Sequence, residues 1–317
     1  MTPSCLIVGA GMAGLTAAAV LQERGWDVVL LDKGRRVGGR MATRRIGGSY
    51  FDHGAQFFTV RDSRFREAVA RWESGNVVMP WFTEGGHVRY RAVNGMTSLT
   101  KHLAKTLNVR LETKVQRVNP EHKGWRVFTE AGESSSARAL LLTAPAPQSA
   151  TLLAECAEQL PPEIFLILQS IDFDPCFALL VTLEGASCIP APGFLRIDEG
   201  PIEWIADNTQ KGTSTGTAAL TVHASANFSR QYLEAPRIEV ATLMLEAARV
   251  WFGSNVAAWQ LHLWRHSKPL AEPRPPCLFT SQPAPLAIAG DAFAGSRIES
   301  AFLSGLSAAE RISSGVL

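Results

Sequence analysis

Three glycines near the start of the chain have the spacing of a phosphate-binding turn. Gly9, Gly11 and Gly14 follow the apolar run 6–8 and precede a second apolar stretch, 17–21. This pattern predicts a buried strand, a tight turn and a helix whose first N–H groups face a pyrophosphate. The second glycine lets the backbone approach the phosphates, and the third lets the helix pack closely against the sheet.

A second strand is predicted after this helix. Gly25 is placed to end the helix, and the apolar stretch 26–32 ends in Asp32. An acid about 20 residues beyond the glycines can accept hydrogen bonds from an adenosine ribose. Because a carboxylate there disfavours a 2′-phosphate, the sequence predicts FAD or NAD at this site rather than NADP.

Three further segments narrow the prediction to FAD. Arg36-Val-Gly-Gly-Arg40 follows the acid, Asp52-His-Gly-Ala-Gln56 comes next, and Gly290-Asp291 ends a late apolar run. Together they resemble the flavin amine oxidase superfamily, whose members carry R-x-G-G-R, D-x-G-A-Q and a late strand ending in Gly-Asp. Covalent members attach their flavin through a late cysteine. No cysteine follows Cys277 here, so we expect non-covalent FAD.

The resemblance implies a role for each segment. Arg40 is expected to help hold the FAD pyrophosphate, the stretch 54–57 to run beside the flavin ring, and Asp291 to contact the ribityl–phosphate part. The N–H groups at the start of a late helix are expected to face the flavin pyrimidine oxygen. The predicted cofactor-binding residues are Gly9, Gly11, Met12, Ala13, Gly14, Asp32, Lys33, Arg36, Gly39, Arg40, Gly54, Ala55, Gln56, Phe57, Val115, Gly290, Asp291, Ile298 and Glu299.

Within this superfamily the chain looks most like the renalase group, especially its bacterial members. The resemblance rests on the stretches 52–59, 94–96 and 204–208, with Lys211 and Trp264-Arg265. It implies oxidation of 2- and 6-dihydro isomers of NAD(P)H to NAD(P)+, with hydride passing to flavin N5 and electrons then passing to O2 to give H2O2. No second G-x-G-x-x-G is present, so a pyridine nucleotide is expected to bind at the flavin face as the substrate.

This chemistry requires positioning more than acid or base catalysis, and no catalytic side chain stands out. Trp264 and Arg265 are candidate pocket residues. His262 and His266 have i,i+4 spacing in a predicted strand without the Glu of H-E-x-x-H, so we expect no metal site. The candidate substrate-contacting residues are Phe58, Thr59, Arg61, Asn94, Gly95, Met96, Thr97 and Arg297.

Other functions stay open at this point. A true amine oxidase usually needs a lysine near flavin N5, for which Lys211 and Lys268 are candidates. A desaturase-like enzyme would need a membrane-docking helix, and the stretch 161–168 is the only hint of one. A protein that holds FAD as a sensor, without turnover, is a further alternative.

Periodicity places these residues on elements. Strand 256–266 alternates, with Trp259, Leu261, Leu263 and Arg265 on one face and Gln260, His262, Trp264 and His266 on the other. Thr97 or Ser98 is expected to cap a helix. The other predicted elements are helices over 62–72, 99–107, 149–158, 238–252 and 298–314, a hairpin over 77–91 turning at Gly85-Gly86, and strands over 109–118, 125–129, 139–143, 176–183, 194–197, 203–207, 218–224 and 286–290.

The resulting fold class is α/β, α+β overall: a Rossmann-type FAD-binding domain of the glutathione-reductase/amine-oxidase type, with an inserted substrate domain of mixed β-sheet plus helices. We predict a discontinuous FAD-binding domain over 1–56, 95–148 and 277–317. The substrate-binding domain is predicted over 57–94 and 149–276, and a proline-rich linker over 269–276 returns the chain to the first domain.

Composition sets the remaining expectations. The chain has 317 residues and a net charge of +2, which gives no case for nucleic acid or an anionic membrane. No run approaches the roughly 18 apolar residues of a membrane span. Five scattered cysteines without C-x-x-C, and no basic leader before the first strand, favour a reducing, cytoplasmic location. The expected partners are a dihydronicotinamide dinucleotide and O2, and both a monomer and a homodimer remain possible.

Overall fold

The computed structural model of the protein describes residues 2–270 and 274–315. The strands in this part of the chain are β1 (Ser4–Val8), β2 (Asp27–Leu31), β3 (Thr43–Ile46), β4 (Ser49–Asp52), β5 (Val78–Glu84), β6 (His87–Ala92), β7 (Asn108–Arg110), β8 (Val115–Glu121), β9 (Gly124–Thr129), β10 (Ser134–Ala137), β11 (Ala139–Leu142), β12 (Phe173–Leu183), β13 (Phe194–Arg196), β14 (Ile202–Asp207), β15 (Ala219–Ala224), β16 (Val256–Pro269), β17 (Leu278–Thr280) and β18 (Leu286–Ile288).

The α-helices over the same residues are α1 (Met12–Glu23), α2 (Ser63–Ser74), α3 (Met96–Leu103), α4 (Ala146–Leu153), α5 (Pro162–Gln169), α6 (Ala226–Gln231), α7 (Arg237–Ala248), α8 (Asp291–Ala294) and α9 (Ile298–Ser314). Short 3-10 helices lie at Gly39–Met41, Ala104–Thr106, Ala154–Gln159 and Arg249–Trp251. None of the helices described is long and apolar enough to cross a membrane.

A six-stranded sheet forms the nucleotide-binding part, in the order β17-β18-β11-β1-β2-β7. All neighbouring pairs are parallel except β17 with β18. The central strands are apolar on both faces because α1 and α9 cover one face and a β8-β9-β10 meander covers the other. A Cβ on Gly305 of α9 would lie 2.3 Å from Ala13 O, so glycine is what lets α9 reach the start of α1. The Rossmann-type prediction is confirmed.

The strand predicted over 109–118 is wrong as a single element. Its first part is β7, which pairs with β2, and its last part is β8, which pairs with β9. Glu112 adopts a left-handed conformation with φ of 53°, and Thr113 N donates to Asp32 O at 2.9 Å. This turn separates the two strands, and hydrophobic alternation alone does not reveal it.

The substrate part contains a five-stranded sheet in the order β13-β14-β15-β12-β16. Every pair in it is antiparallel, so the expected mixed pairing is wrong in this detail. Parallel neighbours need a crossover of roughly a dozen residues or more, whereas residues 197–201 join β13 to β14 and residues 208–218 join β14 to β15 without an intervening helix. One face packs against α7, and β16 presents Leu261 and Leu263 to that side, as the predicted alternation requires.

Helix boundaries also test the sequence predictions. Helix α2 begins behind Asp62, whose side chain accepts from Arg64 N, and the Gly85-Gly86 hairpin joins β5 to β6 as predicted. The prediction that Thr97 or Ser98 caps a helix is wrong: α3 begins at Met96, with Gly95 before it. The Thr97 hydroxyl is already committed, because it accepts from Thr43 N at 2.6 Å.

The strands of the six-stranded sheet lie within 1–56, 95–148 and 277–317, and those of the five-stranded sheet lie within 149–276. This distribution of the strands is compatible with the predicted division into a discontinuous FAD-binding domain and a substrate-binding domain. The division itself stays a prediction. Part of the predicted linker, residues 271–273, lies outside the described residues.

Candidate functional site

The start of α1 has the form of a phosphate cradle. Helix α1 begins after Gly11, which has no side chain to cap it, so the first N–H groups of the helix have no intrahelical partner. A Cβ on Gly11 would point into open space, whereas one on Gly14 would lie 2.1 Å from Gly9 O. A Cβ on Gly39 would lie 3.9 Å from Gly11 Cα, so the second glycine-rich loop closes the same cradle. The open space at Gly11 fits a pyrophosphate.

Asp32 lies beside this cradle, at the end of β2. Its Oδ2 accepts from Ala10 N and its Oδ1 from Gly34 N, both at 2.7 Å. These two bonds hold the carboxylate at the carboxyl end of the sheet, where an adenosine ribose binds in this class of fold. Lys33 is exposed and donates to Gln148, Arg36 is exposed, and Val115 is buried at the start of β8.

Arg40 contacts two residues that lie more than 200 positions later in the sequence, Ser267 and Asp291. Its guanidinium donates to both carboxylate oxygens of Asp291, at 2.8 and 2.6 Å, and to Ser267 O at 3.1 Å. Three of the five guanidinium N–H donors are used in this way, which leaves two for a phosphate. A Cβ on Gly54 would lie 1.9 Å from Arg40 O, so the flavin segment (residues 54–57) passes directly over Arg40.

His53, the residue before the flavin segment, packs against the face of β16 that carries His262 and Trp264. The His53 ring stacks on Trp264 at 5.2 Å and meets His262 edge-on at 5.0 Å, and Trp264 Nε1 donates to His53 O at 2.8 Å. Burial lowers the pKa of His53 to about 3 and that of His262 to about 4, with Arg44 adding to both shifts. Both imidazoles are therefore neutral at pH 7. His53 Nδ1 and His262 Nε2 are buried without a hydrogen-bond partner in the described structure.

Five aromatic side chains, which we call the aromatic cluster, border the other end of the flavin segment. Phe57 contacts Trp81, Phe82 and Trp204, and Phe194 stacks on Trp204 at 4.8 Å and on Phe82 at 4.1 Å. The cluster brings the β5–β6 hairpin, β13 and β14 together beside Phe57. Its flat apolar surfaces suit a planar substrate ring.

A buried ion pair lies behind the flavin segment. Lys211 Nζ is 2.8 Å from Asp52 Oδ2, and both side chains have 0% exposure. Lys211 Nζ is also 3.4 Å from Gln56 Oε1 and 4.9 Å from the centroid of the Trp81 ring. Burial lowers the pKa of Lys211, and Asp52 partly opposes that shift. The amine is thus committed to Asp52, and the side-chain oxygen of Gln56 lies beside it.

Glu299, a predicted cofactor-binding residue at the start of α9, bonds to the backbone that enters α2. Its side chain is 5% exposed, and Oε1 accepts from the backbone N–H groups of Arg61 and Asp62 at 2.6 and 2.8 Å. The carboxylate therefore anchors the chain entering α2. The first N–H groups of α9, at Ile298 and Glu299, remain without intrahelical partners.

Several predicted substrate contacts belong to the core. Phe58 stacks on Tyr90 and is 3% exposed, and Met96 is fully buried in the same cluster. Thr97 bonds to the backbone around Thr43, and a Cβ on Gly95 would meet the Thr43 side chain at 2.7 Å. Hydrophobic packing already uses the Phe58 and Met96 side chains, and substrate contact by either stays a prediction.

The structure places Arg265 away from the flavin segment. Arg265 lies on the α7 face of β16, with its side chain 52% exposed and Nη1 2.7 Å from Glu234. Trp264, its neighbour, points to the opposite face and reaches His53. Of the other candidates, Thr59 is half-buried, and Arg61, Asn94 and Arg297 are exposed.

Three residues near the flavin segment were not identified from the sequence. They are Asp52 as the partner of Lys211, His53, and Arg89, whose guanidinium lies over the Phe57 ring at 5.5 Å. Among described residues, no group of three or more possible metal ligands comes together.

Comparisons with known proteins agree with this geometry. Residues 7–72 match the model of an NAD(P)-binding Rossmann-like domain, and residues 73–313 match that of flavin containing amine oxidoreductases. Renalase of Mus musculus is 26% identical over 264 residues, which are 76% of this chain and 77% of that protein.

Other relatives match over shorter stretches or in fold alone. An L-amino acid oxidase of Cerastes cerastes is 58% identical over 69 residues, 21% of this chain and 13% of that protein. A solved structure of putrescine oxidase bound to putrescine has a TM-score of 0.75 at 14% identity, covering 99% of each chain. The chain therefore belongs to the flavin-containing amine oxidoreductase family, as an enzyme that uses FAD as its cofactor.

Proposed function

We propose that this enzyme oxidises 2- or 6-dihydro isomers of NAD(P)H to NAD(P)+, as the renalase group does, and that O2 is its electron acceptor. The observation that supports this most is the state of Lys211. Its amine is 2.8 Å from Asp52 Oδ2 and fully buried, so it is not free to act on a substrate amine near the flavin.

The proposed reaction suits such a site. A dihydropyridine that loses hydride becomes an aromatic pyridinium, and this gain makes a strong base unnecessary. FAD, when bound, supplies the hydride acceptor and the route for two electrons to O2. The protein must then hold the donor carbon close to the flavin and keep water away.

The residues beside the flavin segment can perform these tasks. The aromatic cluster offers flat surfaces against which a nicotinamide ring can be oriented, and Phe57 places the cluster directly after Gln56. His53 and His262 are neutral at pH 7 because burial lowers the pKa of each. They add no positive charge that would repel the pyridinium product.

A second candidate function is the oxidation of a small amine. The aromatic cluster favours it, because Trp81, Phe82 and Trp204 are also the residue types that would surround a neutral amine. The likeness to putrescine oxidase is one of fold and does not identify a substrate.

An anaerobic reduction experiment separates the two functions. The purified yellow holoenzyme is mixed in turn with NADH, with its 2- and 6-dihydro isomers and with a panel of amines, and loss of the flavin absorbance band is followed. Dithionite serves as the control that the flavin can be reduced. We expect rapid bleaching by at least one isomer and slow bleaching by NADH and by amines. Bleaching by an amine alone would replace the proposal with the second candidate.

A further inference from the structure

Two arginines lie at the outer edge of the aromatic cluster and share one acid. Arg89 Nη2 is 3.0 Å from Glu84 Oε2, and Arg196 Nη2 is 3.2 Å from the same oxygen. The hairpin β5–β6 supplies Arg89 and Glu84, and β13 supplies Arg196. Two guanidinium groups share one carboxylate, so the trio of Arg89, Arg196 and Glu84 carries a net positive charge.

Both guanidinium groups lie over rings of the aromatic cluster. The Arg89 guanidinium lies over the Phe57 ring at 5.5 Å, and that of Arg196 lies over the Trp204 ring at 5.7 Å. Arg89 is 14% exposed, and its Nε is buried without a hydrogen-bond partner in the described structure. Such a donor has lost its water and has no replacement, so the Arg89 guanidinium is only partly satisfied by the protein.

We propose that Arg89 and Arg196 form the subsite for the pyrophosphate of a dinucleotide substrate. This inference rests on the proposed function, since a nicotinamide held at the flavin beside Phe57 carries its phosphates one ribose away. Arginine recognises phosphate through paired N–H donors, and both side chains keep donors that Glu84 does not use.

Acidic residues disfavour one of the spaces beside Arg196 as the anion site. Arg196 borders a cleft of about 270 Å³ that Asp198 and Glu203 also line. Their carboxylates would repel a phosphate there. The phosphates are therefore expected between the two arginines and the aromatic cluster.

Arg265 gives a matched control for the test. The Arg196 side chain is 51% exposed and paired with one glutamate, and that of Arg265 is 52% exposed and paired with Glu234 on the opposite face of the sheet. We would compare R196Q with R265Q. R89K, which keeps the charge and loses the planar fork, tests Arg89 without removing its packing on Phe57.

Two readouts are used on the oxidised holoenzyme. Calorimetric titration gives the affinity for inorganic pyrophosphate and for ADP-ribose. Anaerobic reduction gives the half-saturating concentration of a dihydro-NAD isomer and of the corresponding 1-benzyl-dihydronicotinamide isomer, which has no phosphate. The loss of one charge-assisted bond predicts about a tenfold weakening for R196Q with phosphate-bearing ligands, no change with the benzyl compound, and no change for R265Q.

The outcomes separate this subsite from the proposed function. If dihydro-NAD isomers reduce the wild-type flavin and R196Q and R89K bind every phosphate ligand as the wild type does, the subsite is overturned and the function stands. If no isomer reduces the flavin but pyrophosphate binding weakens in R196Q, the anion subsite stands and the function fails. A wild type that neither binds pyrophosphate or ADP-ribose nor is reduced overturns both.

Discussion

Replacing Lys211 with methionine is expected to destabilise the enzyme by about 3 kcal/mol, because it breaks an ion pair from which water is excluded. Methionine keeps most of the apolar stem and removes the charge. The Asp52 carboxylate, with 0% exposure, then loses its ion-pair partner and keeps only the more distant electrostatic interaction with Arg91. Removing one partner of a buried pair typically costs about 3–5 kcal/mol, most of it the penalty of the remaining buried charge.

The lower end of that range applies here because Asp52 keeps other donors. Thr43 Oγ1 and Met96 N donate to Oδ1 at 2.6 and 2.8 Å, so one carboxylate oxygen stays well bonded in K211M. At roughly 2–4 °C per kcal/mol for a large domain, a loss of about 3 kcal/mol lowers Tm by about 6–12 °C.

Thermal unfolding of the holoenzyme measures this effect. All variants are compared at one protein concentration and one concentration of free FAD, since bound cofactor raises Tm by mass action. K101M, at an exposed position of α3, is the control and should match the wild type. The double variant D52N/K211M replaces the ion pair by two neutral groups and should regain at least half of the lost stability.

Either of two results would contradict this role of the Lys211–Asp52 pair. A K211M variant with the Tm of K101M would mean that the pair is not energetically important. A double variant as unstable as the sum of D52N and K211M would mean that the two side chains act independently, despite their 2.8 Å contact.

Three further predictions concern the cofactor and pH. Gly54→Ala should purify with little FAD, because its Cβ would lie 1.9 Å from Arg40 O, whereas Gly48→Ala, which meets nothing within 4 Å, should stay yellow. Arg40→Ala should also lose FAD, and a fully yellow preparation would refute that assignment. Stability should fall as pH drops below about 6.5, because the unfolded chain then protonates a histidine whose pKa in the folded state is about 3. His53 alone accounts for about 2 kcal/mol at pH 5, so urea unfolding of H53Q, but not of the exposed H122Q variant, should show a weaker pH dependence.

Local motifs predicted the cofactor site well. The glycines at 9, 11 and 14 and the acid at 32 lie within one βαβ unit, so their spacing along the chain sets their spacing in space. Arg40 and Asp291 are 251 residues apart, and only the resemblance to a family indicated that both would reach the FAD.

The substrate side could not be predicted in the same way. Lys211 lies in the turn after β14, 159 residues from Asp52 at the end of β4, and nothing in hydrophobic periodicity pairs a lysine with an acid at that distance. Alternation placed Arg265 and Trp264 on opposite faces of β16 correctly, but it did not say which face would meet the flavin segment. That choice depends on α7, which covers the Leu261 face and leaves the Trp264 face to His53.

The contact between Arg40 and Asp291 has a consequence for the order of events during synthesis. The glycine-rich turn and Arg40 leave the ribosome early, but their partner is translated 251 residues later. At about 5–20 residues per second, roughly 12–50 s pass before the two can meet. Helix α9, which covers α1, is translated after Asp291. The nascent chain therefore has an incomplete nucleotide site throughout this interval, and the Arg40–Asp291 contact can support FAD only after both residues have left the ribosome.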